Sequence, residues 1–407
     1  MSDANRVQLA YVEESTFGEQ ETGSNLQILR YNSESLKQDM ATTISEEIRS
    51  DRQISDVARI GLSASGDISF ELSYGSFDDF LKAALLASDW STEIRIERLT
   101  ISVDEADNSF NDSDDGLGNF VADQWIFTAG FNNSENNGFF KIVSVAAGKL
   151  VVEGGTLVTE AADEDPREII MGAYITNGTT LISYNLEKDF DDLSETLSLF
   201  KGMSINTFNL DVPADGIITG SFGFIGSVEE SLTGSGGDGY DDETTTTVLT
   251  GANHVTDFLE NLGDLAILSF AFSLNNNLRT RLQVGNLGVA SIGSGSIEIT
   301  GSLSIHLEDA TLYNKYLNQT KTSIVLGVVD IDGNGYIIDL PSVKITSGVR
   351  SAGGLNTDVI GDFEFRAYMD SDEEVSIRIA RFTPSELALF VGSLRATSTI
   401  FGALTVS

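Results

Sequence analysis

Residues Ile68, Phe70, Leu72 and Tyr74 are apolar, and Ser69, Glu71 and Ser73 between them are polar. A period of two over seven residues marks a strand with one buried face and one wet face. The same alternation recurs along the chain, and it constrains the fold more than any other feature. The 39 glycines and only 4 prolines, with short alternating Ser and Thr runs, add many turns and few breaks. Together they predict antiparallel β-structure. With 407 residues, 41% of them hydrophobic, the chain can bury two or three cores.

Helix signals are few. After Gly75, Ser76 reads as an N-cap, Asp78 and Asp79 suit the first turn, and Phe77, Phe80, Leu81, Ala84 and Leu85 share a face. That predicts a helix over 76–87. Residues 95–174 differ in character: strand runs at 95–103, 124–128, 139–145 and 149–152 are joined by Asn-, Gly- and Asp-rich loops, predicting a small module of four or five strands. Strands resume at 180–186, 204–212 and 217–225, and 234–247 (GSGGDGYDDETTTT) reads as a Gly/Asp-rich connector.

The alternation occurs twice in similar surroundings. GDISFEL (66–72) matches GSLSIHL (301–307), and each is followed by a helix pattern, the second at 309–318 with Leu312, Tyr316 and Leu317 on one face. Ser35-Leu36 and Met40 match Ser273-Leu274 and Leu278, and GSFGF (220–224) matches GDFEF (361–365). This order of elements predicts a duplicated domain. The expected organisation is an N-terminal arm (1–23), a discontinuous first domain (24–90 plus 175–227), an inserted, outward-facing β module (91–174), a connector (228–261), a second domain (262–382) and a C-terminal arm (383–407). Each copy is expected to be a two-sheet β-sandwich with one helix against it.

The formal net charge is −38, and 175–261 is the most acidic stretch, with 15 acids against 2 bases. Such a surface repels nucleic acid; adaptation to a salty medium is a second cause of the same composition. There is no cysteine, which excludes disulfides and thiol chemistry. The polar first residues give no secretory signal, and no apolar run reaches 18 residues, so neither export nor a membrane span is expected. His254 and His306 are the only histidines, and no nucleophile, phosphate-loop or zinc-protease motif occurs, so no enzyme and no cofactor are expected.

Two segments carry candidate contacts. Asp330, Asp332 and Asn334 with Gly335 follow the start of an EF-hand loop, but Pro341 stands where a bidentate Glu should close it. The same residues between two apolar alternating runs read as a hairpin turn. A weak calcium site and a plain turn both fit. The run holding Glu46, Glu47, Arg49, Asp51, Arg52, Asp56 and Arg59 alternates in sign, and Arg279 and Arg281 fall in the matching part of the second copy. These nine read as inter-subunit contacts, whose charges set register and orientation.

The runs RVQLAYVEESTFGE (6–19), SEEIRSDRQISD (45–56), GLSASGDISFELSYGSFDDFLKAAL (61–85), GMSINTFNLDVPADGIITGSFGF (202–224) and LSFAFSLNNNLRTR (268–281) resemble tail tube proteins of long-tailed, siphovirus-like phages. The resemblance implies a mainly β fold of two tandem tube-type sandwich or barrel domains, each with a flanking helix, plus the inserted module. It implies a structural virion protein that stacks as rings around a channel conducting viral DNA. Its implied partners are other copies of itself, the tape measure, the tail terminator and the tail tip proteins; DNA passes without specific binding, and no membrane is involved. Location would be the virion tail, assembled in the host cytoplasm. Two domains per chain would make three chains complete a pseudo-sixfold ring. The alternative reading is an acidic, calcium-assisted cell-surface or adhesion protein.

Overall fold

The computed structural model describes residues 3–190, 192–193 and 197–383. From the N-terminus the chain forms β1 (Val7–Glu13), β2 (Leu26–Ile28), β3 (Ser33–Glu34), β4 (Lys37–Ile44), β5 (Val57–Glu71) and α1 (Asp78–Ala84). Eight strands follow: β6 (Ile94–Arg98), β7 (Ile101–Asp104), β8 (Ser109–Asp112), β9 (Trp125–Ala129), β10 (Gly138–Ala146), β11 (Lys149–Glu153), β12 (Arg167–Met171) and β13 (Ala173–Thr176). Next come β14 (Tyr184–Phe190), β15 (Leu197–Pro213), β16 (Thr219–Gly226), β17 (Val228–Leu232), β18 (Tyr240–Asp241), α2 (Gly251–His254), β19 (Val255–Glu260) and β20 (Gly263–Asp264). The rest is β21 (Ile267–Asn275), β22 (Arg279–Arg281), β23 (Ser291–Gly293), β24 (Glu298–His306), α3 (Thr311–Asn318), β25 (Thr322–Val329), β26 (Gly335–Ala352), β27 (Val359–Ala367) and β28 (Arg378–Phe382). The chain divides into two compact units that interleave along the sequence.

Unit 1 comprises 1–88, 178–248 and 269–302. One sheet runs β2–β1–β14–β15–β17, using the first part of β15. The other runs β4–β5–β16–β15–β21, using the second part of β15. The long strand crosses from one sheet to the other near a bulge between Ile205 and Thr207, where the extra residue bends and twists the strand. Phe80 of α1 fills the space between the sheets. Its ring lies 4.6 Å from Tyr11 and 5.2 Å from Tyr184 on one side, and 5.5 Å from both Phe222 and Phe224 on the other. Phe70, Phe77, Phe208 and Phe272 extend this aromatic core. The short helix is therefore held by tertiary packing, since seven residues are too few to be stable alone.

Unit 2 comprises 89–177, 249–268 and the described residues from 303 onward. Its main sheet runs β13–β28–β26–β25–β19. The second part of β26 pairs with β27 and has a bulge between Ile345 and Ser347. A separate seven-stranded sheet has the order β6-β12-β9-β10-β11-β8-β7. Its own core includes Ile101, Phe110, Ile126, Ile142, Leu150 and Ile169. A second cluster joins this module to the main sheet, with Trp125 and Ile170 packed against Val325, Ile337, Ala380 and Phe382.

The mainly β class follows the expected alternation, and several local expectations change. Ser76 does not cap α1: the N-cap position is Phe77 without a side-chain cap bond, and the Ser76 hydroxyl instead meets Ser73 at 2.6 Å and also Thr244. Leu317 of α3 is exposed, so the buried Leu312 and the half-buried Tyr316 anchor that face. The inserted module has seven strands in its sheet; β8 lies between the expected runs 95–103 and 124–128, and β12 lies beyond the last expected run, 149–152. Residues 1–23, read as an arm, contain β1, a full partner of β14. The stretch 228–261 contains β17 and β19. Beyond 383, the expected arm lies outside the described residues. No helix among them is long and apolar enough to cross a membrane.

Candidate functional site

Pairing in unit 1 sets the two faces of the β4–β5–β16–β15–β21 sheet. Across it, Ile68 faces Phe222, Phe222 faces Phe208, and Phe208 faces Leu274, all buried on the core side. One residue away the register reads Ser69–Ser221–Asn209–Ser273, then Glu71–Thr219–Asp211–Ala271. The second face is therefore built of hydroxyls, amides and carboxylates, because strand side chains alternate strictly. Asp67 and Asp211 are exposed on it. Asp39 joins them on β4, where a 3.1 Å contact with Lys37 and a hydrogen bond from Ser65 hold its carboxyl below the usual range. In unit 2 the same alternation on β27 buries Phe363 and Phe365 and exposes Asp362, Glu364 and Arg366.

All nine charged contact candidates are exposed on two hairpins of unit 1. Glu46, Glu47, Arg49, Asp51, Arg52 and Asp56 occupy the tip between β4 and β5, and Arg59 stands on β5. Arg49 makes a two-pronged pair with Asp51, with nitrogen–oxygen distances of 3.1 and 2.8 Å. Arg279 and Arg281 stand on β22, whose hairpin with β23 forms the second arm; Arg279 donates to the Ser294 carbonyl at 3.1 Å. The two arms meet where the Leu62 N–H donates to the Leu287 carbonyl at 2.8 Å. The structure thus brings the two sets onto adjoining arms.

Sequence reasoning missed the apolar half of this surface. Met40, Ile44, Ile48, Ile54, Val57 and Ile60 are all exposed on the first arm, Ile48 completely. Scattered isoleucines within a charged run were the available signal. Exposed apolar side chains gathered on one arm, in place of single ones spread over a surface, are a feature of surfaces that pack against another.

The Asp330 segment forms a hairpin turn between β25 and β26, which pair from Val329–Gly335 onward. One oxygen of Asp330 accepts the N–H groups of Asp332 at 2.9 Å and Asn334 at 2.8 Å. The Asp330 N–H in turn donates to the Asn334 carbonyl at 2.7 Å, and Gly333 takes the positive φ of 83° that the turn requires. That carboxylate is occupied in holding the turn. Among the described residues no three His, Asp or Glu side chains are grouped to hold a metal. His306 is exposed on β24, 3.9 Å from Asp358.

A buried ionic cluster lies within unit 2. Asp339 on β26 accepts from the Trp125 indole at 3.0 Å and from Arg378 at 3.0 Å, and lies 3.3 Å from Lys141. Glu373 pairs with Lys141 at 2.6 Å and with Arg378 at 3.0 Å. Burial alone would lower the Lys141 pKa, but the two carboxylates outweigh it and raise it. The cluster has two cations and two anions, so its charges balance. It pins β9 and β10 of the inserted module to the main sheet.

An aromatic core behind one sheet face, a hydrophilic opposite face and exposed arms define a sheet-building structural subunit. The family model described as phage tail tube protein matches residues 4–367, and the chain belongs to that family. Its role is structural, as a component of the virion tail. None of the curated proteins compared with the chain matches it.

Proposed function

We propose that this chain forms the tail tube as stacked rings of three copies, each copy supplying two tube domains, around a channel that conducts viral DNA. The observation that carries this reading is the two-faced sheet. Its hydrophilic face, with Asp67, Glu71 and Asp211 among small hydroxyl and amide side chains, is the channel wall. A wall on which carboxylates outnumber cations gives phosphate little to bind, so DNA slides past it.

The three-copy ring rests on a duplication, and the element order supports it. β14, β15, β16 and β17 recur as β25, β26, β27 and β28, with equivalent pairings and a bulge at the corresponding point of each long strand. Likewise β1 beside β14 recurs as β19 beside β25. The second copy therefore starts near β19, inside the stretch read as a connector. The inserted module decorates the outside of the tube, since inside it would block the channel. The arms bearing Glu46 to Arg59 and Arg279 to Arg281 contact neighbouring copies through the exposed isoleucines as well as the charges. The tape measure, tail terminator and tail tip proteins cap and measure the assembly, which is built in the host cytoplasm.

Electron microscopy of assembled tubes tests this reading. The expected reconstruction has threefold rings of whole chains, with Asp67 and Asp211 facing an open channel. A ring of six whole chains, or a lumen lined by the arms, overturns it.

A further inference from the structure

We propose that the second part of β26 in one copy pairs, antiparallel, with residues 31–37 of the next copy, in a register already drawn inside the chain by β15 and β21. The proposal rests on the ring reading above and adds to it the residue pairs of the seam.

The template is the pairing of 207–213 with 269–275 in unit 1: Thr207 faces Asn275, Asn209 faces Ser273, Leu210 faces Phe272 and Asp211 faces Ala271. This seam joins a strand of the first copy to a strand of the second, β21, which follows β19 and β20. Each side has a counterpart elsewhere. On β16, Phe222 faces Phe208 and Gly223 faces Thr207; on β27, Phe363 faces Gly348 and Glu364 faces Ser347. The shared bulges, between Ile205 and Thr207 and between Ile345 and Ser347, fix the same alignment. Residues 207–213 thus correspond to 347–353. The match of Ser273-Leu274 with Ser35-Leu36 makes 269–275 correspond to 31–37.

Both counterparts have an open edge. Within the described residues, 347–352 pair with β27 on one side only, and β3 pairs with β5 alone. Open strand edges of this length are otherwise sites of uncontrolled pairing. Transferring the register places Val349 opposite Ser35, Ser351 opposite Ser33, and Arg350 opposite Glu34. Where the template has the apolar pair Leu210 and Phe272, the transferred seam has opposite charges. Arg350 is exposed, its guanidinium 3.7 Å from the Tyr313 ring centre, and Glu34 already holds Lys188 from its own copy. The charge complementarity selects a second copy as the occupant and sets its direction. A groove of about 530 Å3 flanks the 28–32 edge, lined by Val7, Leu9, Ile28, Arg30, Tyr31 and Glu71. It lies where the turn after β26, with its exposed Leu355, would arrive from the neighbour.

The chain has no cysteine, so engineered disulfides report the seam without background. The pair S33C/S351C is made in one chain, with S35C/V349C as a second in-register pair and S33C/V349C as a control. All are assembled into tubes, oxidised and run without reductant. Both in-register pairs should give covalent dimers and a ladder that ends at three chains. They should exceed the control roughly tenfold, because a two-residue slip moves a strand partner by about 7 Å, beyond disulfide reach. Tubes that form normally but show no cross-link in either in-register pair, or as much in the control, overturn the seam and leave the tube reading intact. A ladder ending at six chains overturns the three-copy ring. If neither the wild-type chain nor any variant forms rings or tubes, the reading beneath the seam falls with it.

Discussion

Removing the Asp339 carboxylate should strongly destabilise unit 2. Asp339 is 1% exposed and lies within 3.3 Å of two cationic nitrogens and the Trp125 indole. Opposite charges about 4 Å apart attract by roughly 4 kcal/mol at an effective dielectric constant near 20. Taking the partners out of water consumes much of that, so the intact cluster is worth little net. Removing one partner is different, because Lys141 and Arg378 then share a single carboxylate, Glu373, and one buried charge is left over. Breaking such a pair costs about 3–5 kcal/mol. D339A is expected to lose that amount in urea unfolding, followed by tryptophan fluorescence, with Trp125 in the cluster as a direct reporter. D339N keeps an acceptor for the indole and should lose less. Combining D339N with K141M leaves Arg378 and Glu373 balanced and should recover part of the loss. A D339A cost below about 1 kcal/mol, or a double variant as unstable as the summed singles, would refute the charge-balance argument.

Three other perturbations test the fold. F80A removes the ring that fills unit 1 between its sheets, and should destabilise by about 3–5 kcal/mol in the same assay; a cost under about 1 kcal/mol would mean that α1 does not hold the sheets. A Cβ at Gly66 would come 2.6 Å from the Leu36 Cα, and Gly66 has a φ of +153°, so G66V should cost on the order of 1–3 kcal/mol, detectable as a lowered melting temperature. Asp370 is buried, and although burial alone would raise its pKa, bonds from Lys321, Ser342 and the N–H groups of Asp372 and Glu373 hold it well below the usual value. A depressed carboxyl stabilises the fold above its unfolded pKa of about 3.9, and that contribution disappears as pH falls through the folded value. D370N should therefore be less stable than wild type at neutral pH, and the difference should shrink in acid; a constant difference from pH 7 to pH 2 would contradict the assignment.

The recurring strand patterns were legible because they are carried by local alternation. GDISFEL and GSLSIHL show their buried face by period two, and the phenylalanines of GSFGF and GDFEF fall on the buried side of β16 and β27 for the same reason. Local pattern also located α1, through Phe77, Phe80 and the first-turn acids, while misassigning its cap. Ser76 is the right residue type at the right spacing, but its hydroxyl meets Ser73 and the distant Thr244 instead. Of the strands missed in the inserted module, β12 escaped because it is buried throughout and so lacks alternation, its two charged residues being paired, Arg167 with Glu160 and Glu168 with Arg95.

By itself, the sequence determined the β class, the repeated strand–helix order, the missing cysteines and the excess of acids, because each depends on residue type and near neighbours. Only the tertiary structure decided which strands meet. That 207–213 pairs with 269–275, that a bulge redirects each long strand, and that the charged arm also carries an apolar surface all depend on contacts between residues far apart in the chain. A one-residue slip in such pairing would exchange the aromatic and hydrophilic faces. The hydrophilic sheet face proposed as the channel wall depends on that register, and no stretch of sequence read alone contains it.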